Sequence, residues 1–208
     1  MTAELINAVE IVDAAARTVV GEIPTGKPQS HRVVLSPEGH RGYTSNVDSG
    51  TVSVLDIASR KLVSVVPVTK RIQRIAISKD GRWVFTSDWD APRVAVIDTR
   101  TNAVSRWIDV GGIPFATRPT PDGKWLLVAE SDRAKGRVDV IDLAAIRLVH
   151  SYDLDGQPFG FFIHADRAYM TCIVTGRIET LNLNTWAMEL PINLTPGVDG
   201  MAWSAFAN

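Results

Sequence analysis

The residues best suited to chemistry are an imidazole, a carboxylate and three guanidinium groups that stand far apart along the chain. His31 and Asp199 could act as a general base and the acid that orients it; the alternative is a satisfied polar pair that plugs a channel. Arg32, Arg74 and Arg118 could hold an anion through bidentate contacts, or could be consumed by ion pairs with acids of nearby loops. Those acids are Asp48 in SNVDSG, Asp88 and Asp90 in SDWDAP, and Glu130 and Asp132 in AESDRAKG. Trp89, in the second of these loops, is a candidate recognition aromatic. The four histidines show no HxH or HExxH spacing, and there is no CxxC, GxSxG, P-loop, GxGxxG or CxxCH. Neither a metal nor a cofactor is expected, although the loop carboxylates keep a divalent ion as an alternative.

Composition narrows the partners. Lys and Arg number 22 against 23 Asp and Glu, a net charge of −1, and no basic run supplies a footprint for nucleic acid. No apolar stretch approaches the roughly 20 residues of a spanning helix, so neither nucleic acid nor a membrane is an expected partner. Met1 to Glu4 lead straight into strand-like sequence without the basic and apolar regions of a signal peptide. As written the chain reads as cytoplasmic, and its single cysteine, Cys172, fits a reducing compartment.

What must position the candidate residues is a repeat. Alternating apolar stretches end in an acid or amide at Asp13, Asp56, Asp98, Asp142 and Asn182. A second marker, SPEG at Ser36, SKDG at Ser78, TPDG at Thr120 and a degenerate HADR at His164, shares the same period. A unit of about 40 to 45 residues with strand-like alternation predicts four-stranded sheets arranged radially. In the second marker, proline or lysine opens a tight turn and glycine takes the left-handed conformation that closes it. The acid after each apolar strand is placed to accept backbone N–H groups two residues on, so these acids are turn devices.

The expected fold is therefore an all-β propeller of about five blades in one domain spanning residues 1–208. Four blades begin near Ser30, Ile72, Pro114 and Pro158. The fifth is assembled from both termini, with Asp199 to Ala205 as innermost strand, and lacks or shortens one strand. An open edge there would allow pairing with another copy. Aligning the innermost strands on the second marker places His31, Gln73, Phe115, Phe159 and Asp199 at one level of the channel mouth. Two aromatics beside an imidazole, an amide and a carboxylate have the make-up of a small-molecule pocket.

The pattern VSVLD…KLVSVVPV…IAISKDGRWVFTSD resembles the YVTN-type, or YncE-like, β-propeller repeat, which is related to lactonase-type propellers. The resemblance spans Val9 to Trp203. It implies a ligand-binding or surface protein, with enzymes a minority, and allows an exported parent. Relatives commonly have about seven blades, so five leaves open whether the chain is a small complete propeller or part of a larger one. Two functions follow: a binding scaffold for a small ligand or protein on the face carrying the loops into the innermost strands, or a hydrolase or isomerase of lactonase type. The second would use His31 as base, Asp199 to orient it, and Arg74 or Arg118 to hold a substrate anion.

Overall fold

The computed structural model describes residues 1–131, 135–202 and 204. Nineteen strands form five antiparallel sheets, each running from the channel outward in chain order. The first holds β1 (Thr2–Ala3), β2 (Ala8–Asp13) and β3 (Thr18–Pro24). The second holds β4 (Ser30–Leu35), β5 (Arg41–Asn46), β6 (Thr51–Asp56) and β7 (Lys61–Pro67). The third holds β8 (Ile72–Ile77), β9 (Trp83–Asp88), β10 (Arg93–Asp98) and β11 (Ala103–Asp109). The fourth holds β12 (Pro114–Pro119), β13 (Trp125–Ser131), β14 (Gly136–Asp142) and β15 (Arg147–Leu154). The fifth holds β16 (Pro158–His164), β17 (Arg167–Cys172), β18 (Arg177–Asn182) and the short β19 (Ile192–Asn193).

The turns form as the sequence requires. Gly39, Gly81 and Gly123 have φ of 76°, 71° and 74°, the conformation that favours glycine. The degenerate copy closes instead through a two-residue turn in which Ala165 adopts φ 51°, as a tight hairpin demands. After the third strands, the side-chain oxygens of Asp13, Asp56, Asp98, Asp142 and Asn182 all accept backbone N–H groups two or three residues on. Those bonds hold the carboxyls of Asp56 and Asp142 below the usual range.

Apolar residues on both faces of the middle sheets fill the spaces between neighbours. Tyr43 and Val54 meet Ile75 and Val84; Phe85 and Val96 meet Leu126 and Ile141; Leu127 and Val140 meet Met170 and Leu181. Each such side chain contributes about 1.5–3 kcal/mol by leaving water. Val9 and Ile23 meet Leu55 between the first two sheets. Among the described residues no cluster joins the fifth sheet to the first. The consequence shows at one repeat position: Leu55, Ile97, Ile141 and Leu181 are wholly buried, whereas their equivalent Val12 is 41% exposed.

The first sheet has three strands, but the one missing is the innermost and not the second strand that the repeat count implied. Strand β1, only two residues long, takes the second-strand place against β2, and among the described residues no innermost strand joins it. The stretch expected there forms no strand in its described residues, 199–202 and 204, while Trp203 and Ala205 lie outside the described residues. The reason lies just upstream. Leu194 N–H donates to Gly176 O and Gly197 N–H to Ile173 O, with Gly197 at φ 103°. This tether to the fifth sheet carries Asp199 to the channel instead of to the first sheet.

Candidate functional site

The innermost strands share one irregularity. Pairing skips His31 between Ser30 and Arg32, Gln73 and Arg74 between Ile72 and Ile75, Phe115 between Pro114 and Ala116, and Phe159 between Pro158 and Gly160. These bulges fall on the residues aligned at the channel mouth, and a bulge re-aims a side chain while ending local pairing. Phe115 and Phe159 meet edge to face at 4.8 Å. Gln73 is buried.

Arg74 crosses this level. Its guanidinium lies 5.2 Å from the Phe115 ring, reaches the backbone at Gly160, and sits 3.5 Å from Asp199. Its Nε is buried with no partner. Enclosure and the nearby Arg32 charge lower the pKa of Arg74, and the same two causes lower that of Arg118. Three guanidiniums from consecutive innermost strands thus share one electrostatic space. Among the described residues neither Arg32 nor Arg118 has a hydrogen-bond or ion-pair partner. Arg118 borders a cavity of about 290 Å³ whose wall combines Val34, Ile77, Pro119 and Ile163 with the polar Lys79 and Thr120. Among the described residues the single counter-charge is Asp199, whose side chain is 56% exposed, and a pair with one partner so open to water contributes about 1 kcal/mol.

The structure does not join His31 to Asp199. The imidazole Nδ1 of His31 instead meets Glu4 Oε1 at 2.5 Å, because the 3₁₀ turn Glu4–Ile6 after β1 stands beside β4, where Thr2 Oγ1 also donates to His31 O. The loop acids do not neutralise the channel arginines either. Asp90 is held by Arg71, which also covers the Trp89 ring at 4.9 Å; Trp89 is therefore a half-buried partner of a cation. Asp88 is buried against Arg93. Asp48 is exposed near Arg71, and Asp132 lies outside the described residues.

Asp88 and Glu130 belong to a repeat position with a structural task. Asn46, Asp88, Glu130 and Cys172 lie on the second strands of four sheets, each opposite the first residue of the innermost strand, and are all buried. Asn46 accepts from Ser30 Oγ and Thr44 Oγ1 and donates to Thr51 Oγ1 and Ser53 Oγ. Cys172 donates to Gly156 O, and burial pushes its thiol up to about 12. Glu130 accepts from Gly111 N–H at 3.1 Å, and the same amide donates to Asp139 Oδ2 at 2.9 Å. Burial, and then the bond to and charge of Asp139, raise the Glu130 carboxyl to about 8. Asp139 and Glu4 escaped the sequence reading. An acid inside the apolar run VDVID was a signal for the first; the second had none, since its partner is set by how β1 packs. Among the described residues no three His, Cys, Asp or Glu converge to hold a metal, and no helix is long and apolar enough to cross a membrane.

Five radial antiparallel sheets, four of them four-stranded, around an arginine-lined channel define a β-propeller of five blades. No family model and no curated protein matches the chain. Solved structures share its fold. It is similar to Kuenenia stuttgartiensis hydrazine synthase, with a TM-score of 0.69 and 19% identity over 92% of this chain and 82% of that one. It is similar also to dihydro-heme d1 dehydrogenase NirN in complex with DHE, with a TM-score of 0.60 and 18% identity over 92% of this chain. Only 52% of the NirN chain is covered. At these identities the likeness concerns the propeller fold.

Proposed function

We propose that this propeller is a binding protein whose channel takes a small anion, a carboxylate with an apolar body, on Arg74, Arg118 and Arg32. The observation that carries this reading is the surplus of charge: among the described residues, three neighbouring guanidiniums face one weakly held carboxylate. Asp199 stands where a ligand carboxylate would stand, and the apolar side chains in the wall of the Arg118 cavity suit the rest of such a molecule. Calorimetric titration with succinate and citrate tests it. Arg74→Ala and Arg118→Ala should each weaken binding at least about tenfold, or about 1.4 kcal/mol. Asp199→Ala should tighten binding by removing an internal competitor. Absence of binding in the millimolar range, or binding indifferent to both arginine variants, would refute the proposal.

A second reading rests on the contact between His31 and Glu4. A carboxylate on Nδ1 fixes the ring and leaves Nε2 to act as a base, so an isomerase or hydrolase of lactonase type would use Glu4 in the role first assigned to Asp199. Turnover of small lactones that survives His31→Ala unchanged would remove that reading.

A further inference from the structure

A larger cleft, about 1000 Å³, opens between the third and fourth sheets on the face of the Ser78–Asp80 and Asp122–Lys124 turns. Trp83, Phe85 and Arg106 form one wall, Leu143 and Ile146 the other. The repeat explains why it is there. One residue of each turn after the third strand adopts a left-handed conformation: Arg17, Arg60, Asn102, Ile146 and Trp186, with φ between 51° and 56°. Arg60 and Trp186 lie over the outer strand of the preceding sheet. Between the first two sheets the guanidinium of Arg60 covers Gly21 and donates to Val20 O at 2.9 Å. Between the fourth and fifth sheets the indole of Trp186 fills the space, stacked on His150 at 5.7 Å and edge to face with Trp125 at 5.3 Å.

Between the third and fourth sheets the same positions are held by Ile146, Arg106 and Trp83. Arg106 pairs with Val96 as His150 pairs with Val140, and Trp83 starts β9 as Trp125 starts β13. A four-carbon side chain cannot fill what an indole fills next door, so the space stays open. From this we propose that the cleft is a second binding site, distinct from the channel, for a planar aromatic acid about the size of an indole derivative. Trp186 shows the pose: a flat ring against the residue at position 106 and edge-on to a tryptophan.

The acid preference follows from the charges around the opening. Asp80 is bound by Ser78 Oγ and Arg82 N–H, Asp122 by Thr120 Oγ1 and Lys124 N–H, and Asp142 by Ala144 and Ala145 N–H. All three acids of the lining are thus committed to their turns, and Lys79, Lys124 and Arg106 stand among them. Arg106 has no acid partner among the described residues; its guanidinium rests 5.1 Å from the Trp83 ring. Guanidinium groups both stack on aromatic planes and pair with carboxylates, so Arg106 serves both ends of an aromatic acid.

Indole-3-acetate is the probe, with tryptamine as the cationic control, read by calorimetry and by saturation-transfer NMR on the whole chain. Ile146→Trp copies the neighbouring seam, whose tryptophan already tolerates this backbone conformation. It should abolish binding, a loss of at least about tenfold, while leaving the melting temperature unchanged or higher. Trp83→Leu should weaken binding similarly, and Arg118→Ala, in the channel, should not. Failure of indole-3-acetate to bind, undiminished binding to a folded Ile146→Trp, loss through Arg118→Ala instead, or tryptamine binding as tightly would each overturn the proposal. Should Ile146→Trp fail to fold, Trp83→Leu and Arg118→Ala decide between cleft and channel alone.

Discussion

Replacing Glu130 by glutamine tests the carboxyl pair that fastens the loop before β12. In the folded protein Glu130 keeps its proton up to about pH 8, whereas in the unfolded chain it ionises near 4.5. The unfolded state therefore binds fewer protons between these values. The contribution of this group is fully present below about pH 4.5 and is lost as pH rises through 8. At about 1.36 kcal/mol per pH unit, complete burial would make the loss about 5 kcal/mol. Relaxation and water penetration around the ionised carboxyl bring the observable value to roughly 2–3 kcal/mol. Glutamine can still accept from Gly111 N–H and can donate to Asp139, imitating the protonated acid without ionising. Urea unfolding at intervals from pH 5 to 9 should show wild-type stability falling toward pH 8 and the Glu130→Gln curve nearly flat, with the variant the more stable at pH 8. Parallel curves for the two proteins would refute a proton shared between Glu130 and Asp139.

Three further outcomes are expected. Asn46→Ala removes a buried amide that makes four hydrogen bonds and should cost about 2–4 kcal/mol in chemical denaturation, since several partners are left unsatisfied. Gly50→Ala forces a methyl group onto Thr69 O at a φ of 59°; a loss of about 2 kcal/mol or more should appear as a lower melting temperature. Cys172, with its thiol raised to about 12, should not react with a thiol reagent at pH 8 in the native protein and should react stoichiometrically in denaturant.

The period of the turns and apolar strands was enough to read five radial sheets, because each turn type and each buried face depends on local residues: Gly81 and Gly123 in the hairpins, Asp98 and Asp142 after the third strands, Phe85 and Leu127 in the seams. The level of the channel mouth was legible for the same reason, and the bulges fall on His31, Gln73, Phe115 and Phe159. Which charges meet was not legible. Ion pairs join residues distant in sequence, and their partners depend on how strands of different sheets are placed. Packing of β1 against β4 gave His31 to Glu4, and the tether at Gly197 gave Asp199 to Arg74. Arg71 and Arg93 took Asp90 and Asp88, and among the described residues Arg32 and Arg118 are left unpaired. The indole-sized cleft beside Trp83 likewise required three dimensions: Ile146 is an ordinary turn residue until its place is compared with that of Trp186 one seam away.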